Sequence, residues 1–356
     1  MKIAQIAPLW ERVPPPAYGG IELVVGLLTD ELVRKGHEVT LFASGDSLTL
    51  AKLISVHPRA LRLDKTVKDC SIYESLQLAS VYERADEFDI IHSHMGHSPL
   101  AYANLVKTPT IHTLHGIFTP DNEKIFRYAK KQPYVSISDA QREPSLELNY
   151  VATVYNGIDV SSYEFYAQPT DPPYLAFLGR ISPEKGPHLA IEIAKKSGWQ
   201  LKIAGKVDFV DVEYFETQIK PQIDGKQIQY LGEANHVQKN AIMGGAVATL
   251  FPITWREPFG LVMVESMAAG TPVIAMRMGS TPEVISDGET GFLCDNTQEC
   301  INAIDKINRL NRYACRHYAE EKFSLQQMTN GYEALYQQII GEKIAQQNGY
   351  LRPALV

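Results

Sequence analysis

The chain has 356 residues, too many for one ordinary domain and enough for two of about 150–180 residues each. Hydrophobic residues make up 45% and charged residues 21%, so each half can bury a core of its own, and disorder is excluded. A formal net charge of -7 argues against a nucleic-acid partner, because binding to a phosphate backbone needs a basic surface.

The start, Met1-Lys2-Ile3-Ala4-Gln5-Ile6-Ala7-Pro8, is a short strand without the apolar core of a signal peptide. Strands are predicted next at Val39–Ala43, Ile90–His92, Thr110–Leu114, Tyr134–Ser136 and Val151–Tyr155, with Ile3–Ala7 as the first. The clearest helix runs from Ile21 to Lys35, where Leu23, Leu27, Leu28, Leu32 and Val33 share one face before Gly36 stops it. The stretch 57–69 carries Arg59, Arg62, Lys65 and Lys68 with little periodicity. It reads as a solvated surface loop before it reads as a clamp for a second substrate.

Tyr155-Asn156-Gly157-Ile158-Asp159 and the proline-rich segment 168–173 mark a domain boundary. Beyond it the alternation restarts, with strands at Tyr174–Leu178, Gln200–Ala204, Ile228–Leu231, Ala248–Phe251, Val273–Met276 and Phe292–Cys294. From Gln298 to about Lys343 the pattern is mostly helical. Two successive runs of βα units predict an α/β protein of two facing, doubly wound, Rossmann-like sheets. The expected division is 1–160, 161–323, and a C-terminal helix and tail, 324–356, crossing back toward the first domain.

Cys70, Cys294, Cys300 and Cys315 are few and scattered, with no CxxC spacing, so a disulfide framework or zinc site is not expected. No uncharged apolar run approaches the ~20 residues of a membrane helix. A cytoplasmic protein is expected, with membrane contact at most peripheral.

Several junctions between strand and helix carry chemistry. Gly19-Gly20 opens the first helix, where glycines let a ligand approach the backbone and free N–H groups attract an anion; a tight turn without a ligand would use the same residues. Leu178-Gly179-Arg180-Ile181-Ser182-Pro183-Glu184-Lys185 places Arg180 and Lys185 beyond a strand's carboxyl end, where open α/β sheets bind ligands. A bidentate guanidinium beside an ammonium suits a diphosphate. In Glu257-Pro258-Phe259-Gly260-Leu261-Val262-Met263-Val264-Glu265, the amides from Gly260 to Val262 are the uncapped donors of a helix. Glu257 and Glu265 bracket them, eight residues apart. If helical throughout, that spacing is up to ~12 Å of rise: too far for the ~5 Å carboxylate pair of a retaining glycosidase and suited to two ends of an extended ligand. A buried Glu265 needs a partner, and a ligand hydroxyl is one.

His92-Ser93-His94-Met95-Gly96-His97 has the look of a metal cluster. The preferred reading is a cleft lining without metal, with His92 and His94 on the same side of a strand end. No Asp-x-Asp occurs in the sequence, so the common carboxylate device for a metal-bound diphosphate is missing.

The stretch EPFGLVMVESMAAGTPVIA, the Arg180 to Lys185 loop, 279–285 and 287–293, with Tyr18-Gly19-Gly20, Leu114-His115-Gly116 and Tyr155-Asn156-Gly157-Ile158-Asp159, closely resembles the retaining glycosyltransferases of family four. That resemblance spans nearly the whole chain. It implies the GT-B fold, two facing Rossmann-like domains with a cleft between them, and a hexose taken from a nucleotide-diphosphate sugar. It further implies that Gly19 and Gly20 approach the diphosphate and that Arg180 and Lys185 neutralise it as it leaves. Phe259, Gly260, Leu261 and Val262 would add main-chain amides, and Glu265 would hold the ribose. Glu257 would face the transferred sugar, and His115 would contact it. Ala234 and Lys239 fall on the family's base-binding positions, and an alanine there leaves little side chain to select a base. Glu22 and His94 are expected on the second-substrate side.

The resemblance puts UDP-glucose first as donor and GDP-mannose second, with an unidentified hydroxyl acceptor, no cofactor and no metal. The front-face displacement it implies is consistent with the absence of a recognisable nucleophile. Three other readings are weighed: a GT-B nucleotide-sugar epimerase, a silent sugar-nucleotide binding protein, and a nicotinamide oxidoreductase. The last is opposed by the lack of GxGxxG after the first strand.

Overall fold

Short apolar runs bounded by polar turns fold here as parallel strands covered by helices on both faces, which is why they read as continuous rather than alternating hydrophobic stretches. The computed structural model describes residues 1–347; the tail 348–356, grouped above with the C-terminal helix, lies outside the described residues. In the first half the strands are β1 (Lys2–Ile6), β2 (Glu38–Phe42), β3 (Lys52–Ile54), β4 (Ile90–Ser93), β5 (Thr110–Thr113), β6 (Tyr134–Ser136) and β7 (Tyr150–Thr153). They form one parallel sheet in the order β3-β2-β1-β4-β5-β6-β7. The second half gives β8 (Leu175–Leu178), β9 (Leu201–Ala204), β10 (Ile228–Tyr230), β11 (Ala248–Phe251), β12 (Val273–Met276) and β13 (Gly291–Cys294). Their order is β10-β9-β8-β11-β12-β13, again all parallel.

In each sheet the winding reverses beside its first strand, between β1 and β4 and between β8 and β11. Such a switch point opens a crevice at the strands' carboxyl ends. The loops after β1, β5, β8 and β11 all leave from those ends.

The first helix, Gly20–Arg34, buries more of its girdle than one amphipathic face. Val24, Val25, Leu28, Thr29 and Leu32 are buried, while Leu23, Leu27 and Val33 are half-buried. The reason is that the helix is covered from two sides. The C-terminal helix, Leu325–Gln347, sets Leu325, Met328, Tyr332, Leu335 and Tyr336 at helical spacing into the cluster of Ile3, Val24, Leu28 and Leu32. The last helix therefore completes the core of the first sheet.

The chain crosses between the two sheets twice, and the crossings lie side by side. Ile158 donates its N–H to Phe323 O at 2.9 Å, and Leu325 donates to Ile158 O at 2.8 Å. Gly157 permits this contact, since a Cβ there would sit 2.5 Å from the Ser324 oxygen.

Candidate active site

Between the two sheets lies a cavity of ≈ 390 Å³, walled by the loops that leave the strands' carboxyl ends. From the first half come Gly19, Gly20 and His115; from the second come Arg180, Lys185, Ala234, Lys239, Glu257, Phe259, Gly260, Leu261, Val262 and Glu265.

The anion-attracting part of this wall follows from one glycine. Gly260 takes φ +80°, a left-handed turn that starts the helix Leu261–Ala268. A side chain there would meet Met263 and Phe251. Among the described residues nothing accepts from the Leu261 or Val262 N–H, so both donors are available at the positive end of the helix dipole.

Each cation on the wall is held by carboxylates. Arg180 bonds to Glu184, and its Nε lies 3.6 Å from Asp211. Burial opposes its charge, but those carboxylates more than offset that, so the guanidinium stays firmly protonated. Lys185 pairs with Glu257 and lies 4.8 Å above the Trp255 ring; Trp255 donates its Nε1–H to Glu257 at 2.8 Å. Glu265, only 2% exposed, accepts from Lys239 Nζ at 2.7 Å and from Tyr163 OH at 2.9 Å. Desolvation pushes its pKa up, yet Lys239 and Tyr163 outweigh it and hold the carboxyl below its ordinary range. Residue 265 thus has the partners that its burial requires.

Two expected residues stand elsewhere. Glu22 and His94 do not line the cavity; they are 5% and 2% exposed and sit one layer behind its wall. Glu22 is on the first turn of its helix, where it packs under the Gly19 turn. His94 follows β4, an interior strand between β1 and β5, and its ring is covered on both sides. It reaches the cavity only through His115, with its Nδ1 2.9 Å from His115 Nε2. His92 is fully buried, its ring 4.0 Å from that of His94, which places both on one side of the strand end. Among the described residues no three His, Cys, Asp or Glu side chains are grouped to hold a metal ion.

Burial raises the Glu22 pKa to about 7, with Glu11 adding repulsion and backbone N–H groups and Arg62 working the other way. The folded protein therefore binds this proton more tightly than the unfolded chain does. The resulting stability is complete below pH 4.5 and is lost as the pH rises to about 7. Glu22→Gln should accordingly be more stable than the parent at pH 8, by about 1–3 kcal/mol, and nearly equal to it at pH 4.5. Urea midpoints at the two pH values check this; equal midpoints at pH 8 would remove the buried carboxyl as their cause.

Other wall residues were not foreseen: Tyr18, Asn156, Lys206, Glu233 and Trp255. Lys206 had a usable signal, since it stands two residues beyond β9. Arg62, assigned to a solvated loop, instead spans the gap between the halves, 3.0 Å from Glu11 and 2.8 Å from Asp208. Tyr18 N–H donates to Glu233 at 3.2 Å and Ser138 to Pro258 O at 2.6 Å, so both rims of the cleft are tied.

The family model described as "Glycosyltransferase Family 4" matches residues 18–162, and that described as "Glycosyl transferases group 1" matches residues 163–322. The chain belongs to glycosyltransferase family four. It is a glycosyltransferase, built on the GT-B fold. Its similarity to individual members is modest. It is 26% identical over 327 residues to the phosphatidyl-myo-inositol mannosyltransferase of Mycobacterium leprae, covering 82% of this chain and 83% of that one. It is 24% identical over 349 residues to a glycogen synthase of Mycobacterium tuberculosis, covering 83% and 82%. Among solved structures, sucrose-phosphate synthase from Thermosynechococcus elongatus superposes with a TM-score of 0.78 at 19% identity, over 96% of this transferase and 99% of that chain. No helix among the described residues is long and apolar enough to cross a membrane.

Proposed function

We propose that this transferase moves a hexose from a nucleotide-diphosphate sugar to a hydroxyl acceptor with retention of anomeric configuration and without a metal ion. The observation that carries the reading is the wall of the cavity. Arg180, Lys185 and the free amides of Leu261 and Val262 converge on it between two buried carboxylates. The cations and the helix end take the diphosphate, Glu265 the ribose, and Glu257 the sugar. The mannosyltransferase and glycogen synthase relatives support a hexose. UDP-glucose remains the first candidate and GDP-mannose the second; Ala234 offers no polar side-chain atom to distinguish their bases.

In the reaction the bond from the anomeric carbon to the diphosphate oxygen breaks first. Its electron pair leaves with the diphosphate, whose growing charge Arg180, Lys185 and the helix amides stabilise in place. The acceptor oxygen then bonds to the same face of the sugar, and its proton passes to the departing phosphate oxygen. Glu257 is fixed by Lys185 and Trp255, an arrangement that suits binding a sugar hydroxyl while leaving Lys185 beside the phosphate.

The test is transfer assayed by product NMR. The expected product has the donor's anomeric configuration, EDTA leaves the rate unchanged, and Glu257→Gln lowers kcat by about 10²–10³-fold. Inversion, loss on chelation restored by a divalent ion, or an unaffected Glu257→Gln variant would each overturn the corresponding part.

A further inference from the structure

Behind His115 runs a buried chain of polar groups that the reaction above does not use. His94 Nδ1 lies 2.9 Å from His115 Nε2, and His94 Nε2 lies 3.1 Å from Gln5 Oε1. Gln5 Nε2 donates to Tyr336 OH at 3.1 Å. Tyr336 OH in turn lies 2.7 Å from His92 Nδ1, and His92 Nε2 lies 2.7 Å from Thr113 Oγ1, which meets Tyr332 OH at 3.0 Å. Gln5, His92, Thr113, Tyr332 and Tyr336 are fully buried and His94 nearly so. The two tyrosines are four residues apart on the helix Leu325–Gln347, so one face of that helix reaches the network twice.

Only one member of this chain has a fixed polarity. Imidazoles and hydroxyls can exchange donor and acceptor roles, whereas an amide NH₂ only donates and an amide oxygen only accepts. With Gln5 Nε2 on Tyr336, the tyrosine proton must go to His92 Nδ1, and His92 Nε2–H to Thr113. With Gln5 Oε1 on His94, the His94 proton sits on Nε2, and its Nδ1 lone pair must accept the Nε2–H of His115. That leaves the Nδ1 lone pair of His115 without a partner among the described residues, and of the three imidazoles His115 is the one that lines the cavity. Burial pushes the pKa of His115 down to about 4 and those of His92 and His94 well below their ordinary value, so each ring is neutral and has one donor and one acceptor.

We propose that Gln5 is a positioning residue that, through His94, fixes the tautomer of His115, so that His115 accepts a hydrogen bond from a donor-sugar hydroxyl. Tyr336 OH accepts from Gln5 Nε2 at 3.1 Å and so anchors the far end of that amide, which makes the C-terminal helix part of the active site's proton order. The converse orientation of Gln5 would reverse every bond in the chain and present an N–H to the cavity instead. The sugar contact rests on the proposed reaction; the tautomer does not.

The experiment is ¹⁵N-histidine NMR of the full chain without substrate, with His115 assigned from a His115→Gln spectrum. The expected result is a protonated Nε2 and an unprotonated Nδ1 on His115. Gln5→Leu or Tyr336→Phe should mix the two tautomers, and Tyr336→Phe, which keeps the ring and its packing, should lower kcat/KM by roughly 10-fold, mainly through donor KM. A protonated Nδ1 in the parent, or one pure tautomer retained in both variants, overturns the proposal even if transfer itself is confirmed. If transfer is absent while the tautomers behave as expected, the positioning stands and the reading of the reaction fails.

Discussion

Arg180→Ala and Lys185→Ala are each expected to lower kcat/KM for sugar transfer by about 10²–10³-fold, the loss typical when a preorganised charge stabilising a leaving group is removed. Their structural settings predict different secondary effects. Removing Arg180 leaves Glu184 and Asp211 without their cation beside the diphosphate site, so repulsion of the nucleotide adds to the lost attraction. Arg180→Lys restores charge but not the bidentate grip and should recover only part of the activity. Removing Lys185 frees Glu257 from its ion pair, and the misplacement of that carboxylate should appear in kcat as well as in donor KM. Steady-state kinetics with varied donor separate the two. Equal kcat/KM in parent and variants would show that the diphosphate leaves elsewhere.

Glu265→Gln is expected to raise donor KM by an order of magnitude or more and to lower stability by about 3–5 kcal/mol, because a buried ion pair loses one partner. The double variant Glu265→Gln with Lys239→Gln should regain most of the stability, since no charge is then left uncompensated, but not the donor affinity. This comparison distinguishes a ligand-binding carboxylate from a purely structural one, for which KM would recover along with stability. In the parent the lowered pKa of Glu265 makes its contribution complete above pH 4.5 and lost as the pH falls through the folded value. Parent and single variant should therefore differ in urea midpoint above pH 4.5 and converge only as the pH falls below 4.5 through the folded value.

How far the sequence discloses this site depends on whether a residue's position follows from local order. Arg180 and Lys185 follow a strand end, and the Gly260 turn precedes an apolar helix. Both features are local, and the structure sets them at the cleft. The same rule applied to Lys206 would have found it. Depth is a different matter: alternation along β4 puts His92 and His94 on one side, but only the C-terminal helix, whose Tyr332 and Tyr336 pack against the His92 ring, shows that this side is closed. Strand β3 escaped notice because three residues at a sheet edge, Lys52–Ile54, carry no period. The contact of His92 with Tyr336 spans 244 residues, and no periodicity links positions so far apart. It arises because the C-terminal helix closes the first domain's core. Likewise Arg62 lies in an aperiodic loop, and its bridge to Asp208 exists only once the two halves face each other.

The donor cleft is tested most directly by the thermal stability of the parent and the Arg180→Ala variant with UDP, GDP and ADP sugars. A nucleotide sugar at a hundred times its Kd should stabilise the parent by about 2.7 kcal/mol, while the variant at the same concentration should show little or no shift. No shift of the parent with any of the three, or the same shift in both proteins, would contradict the account.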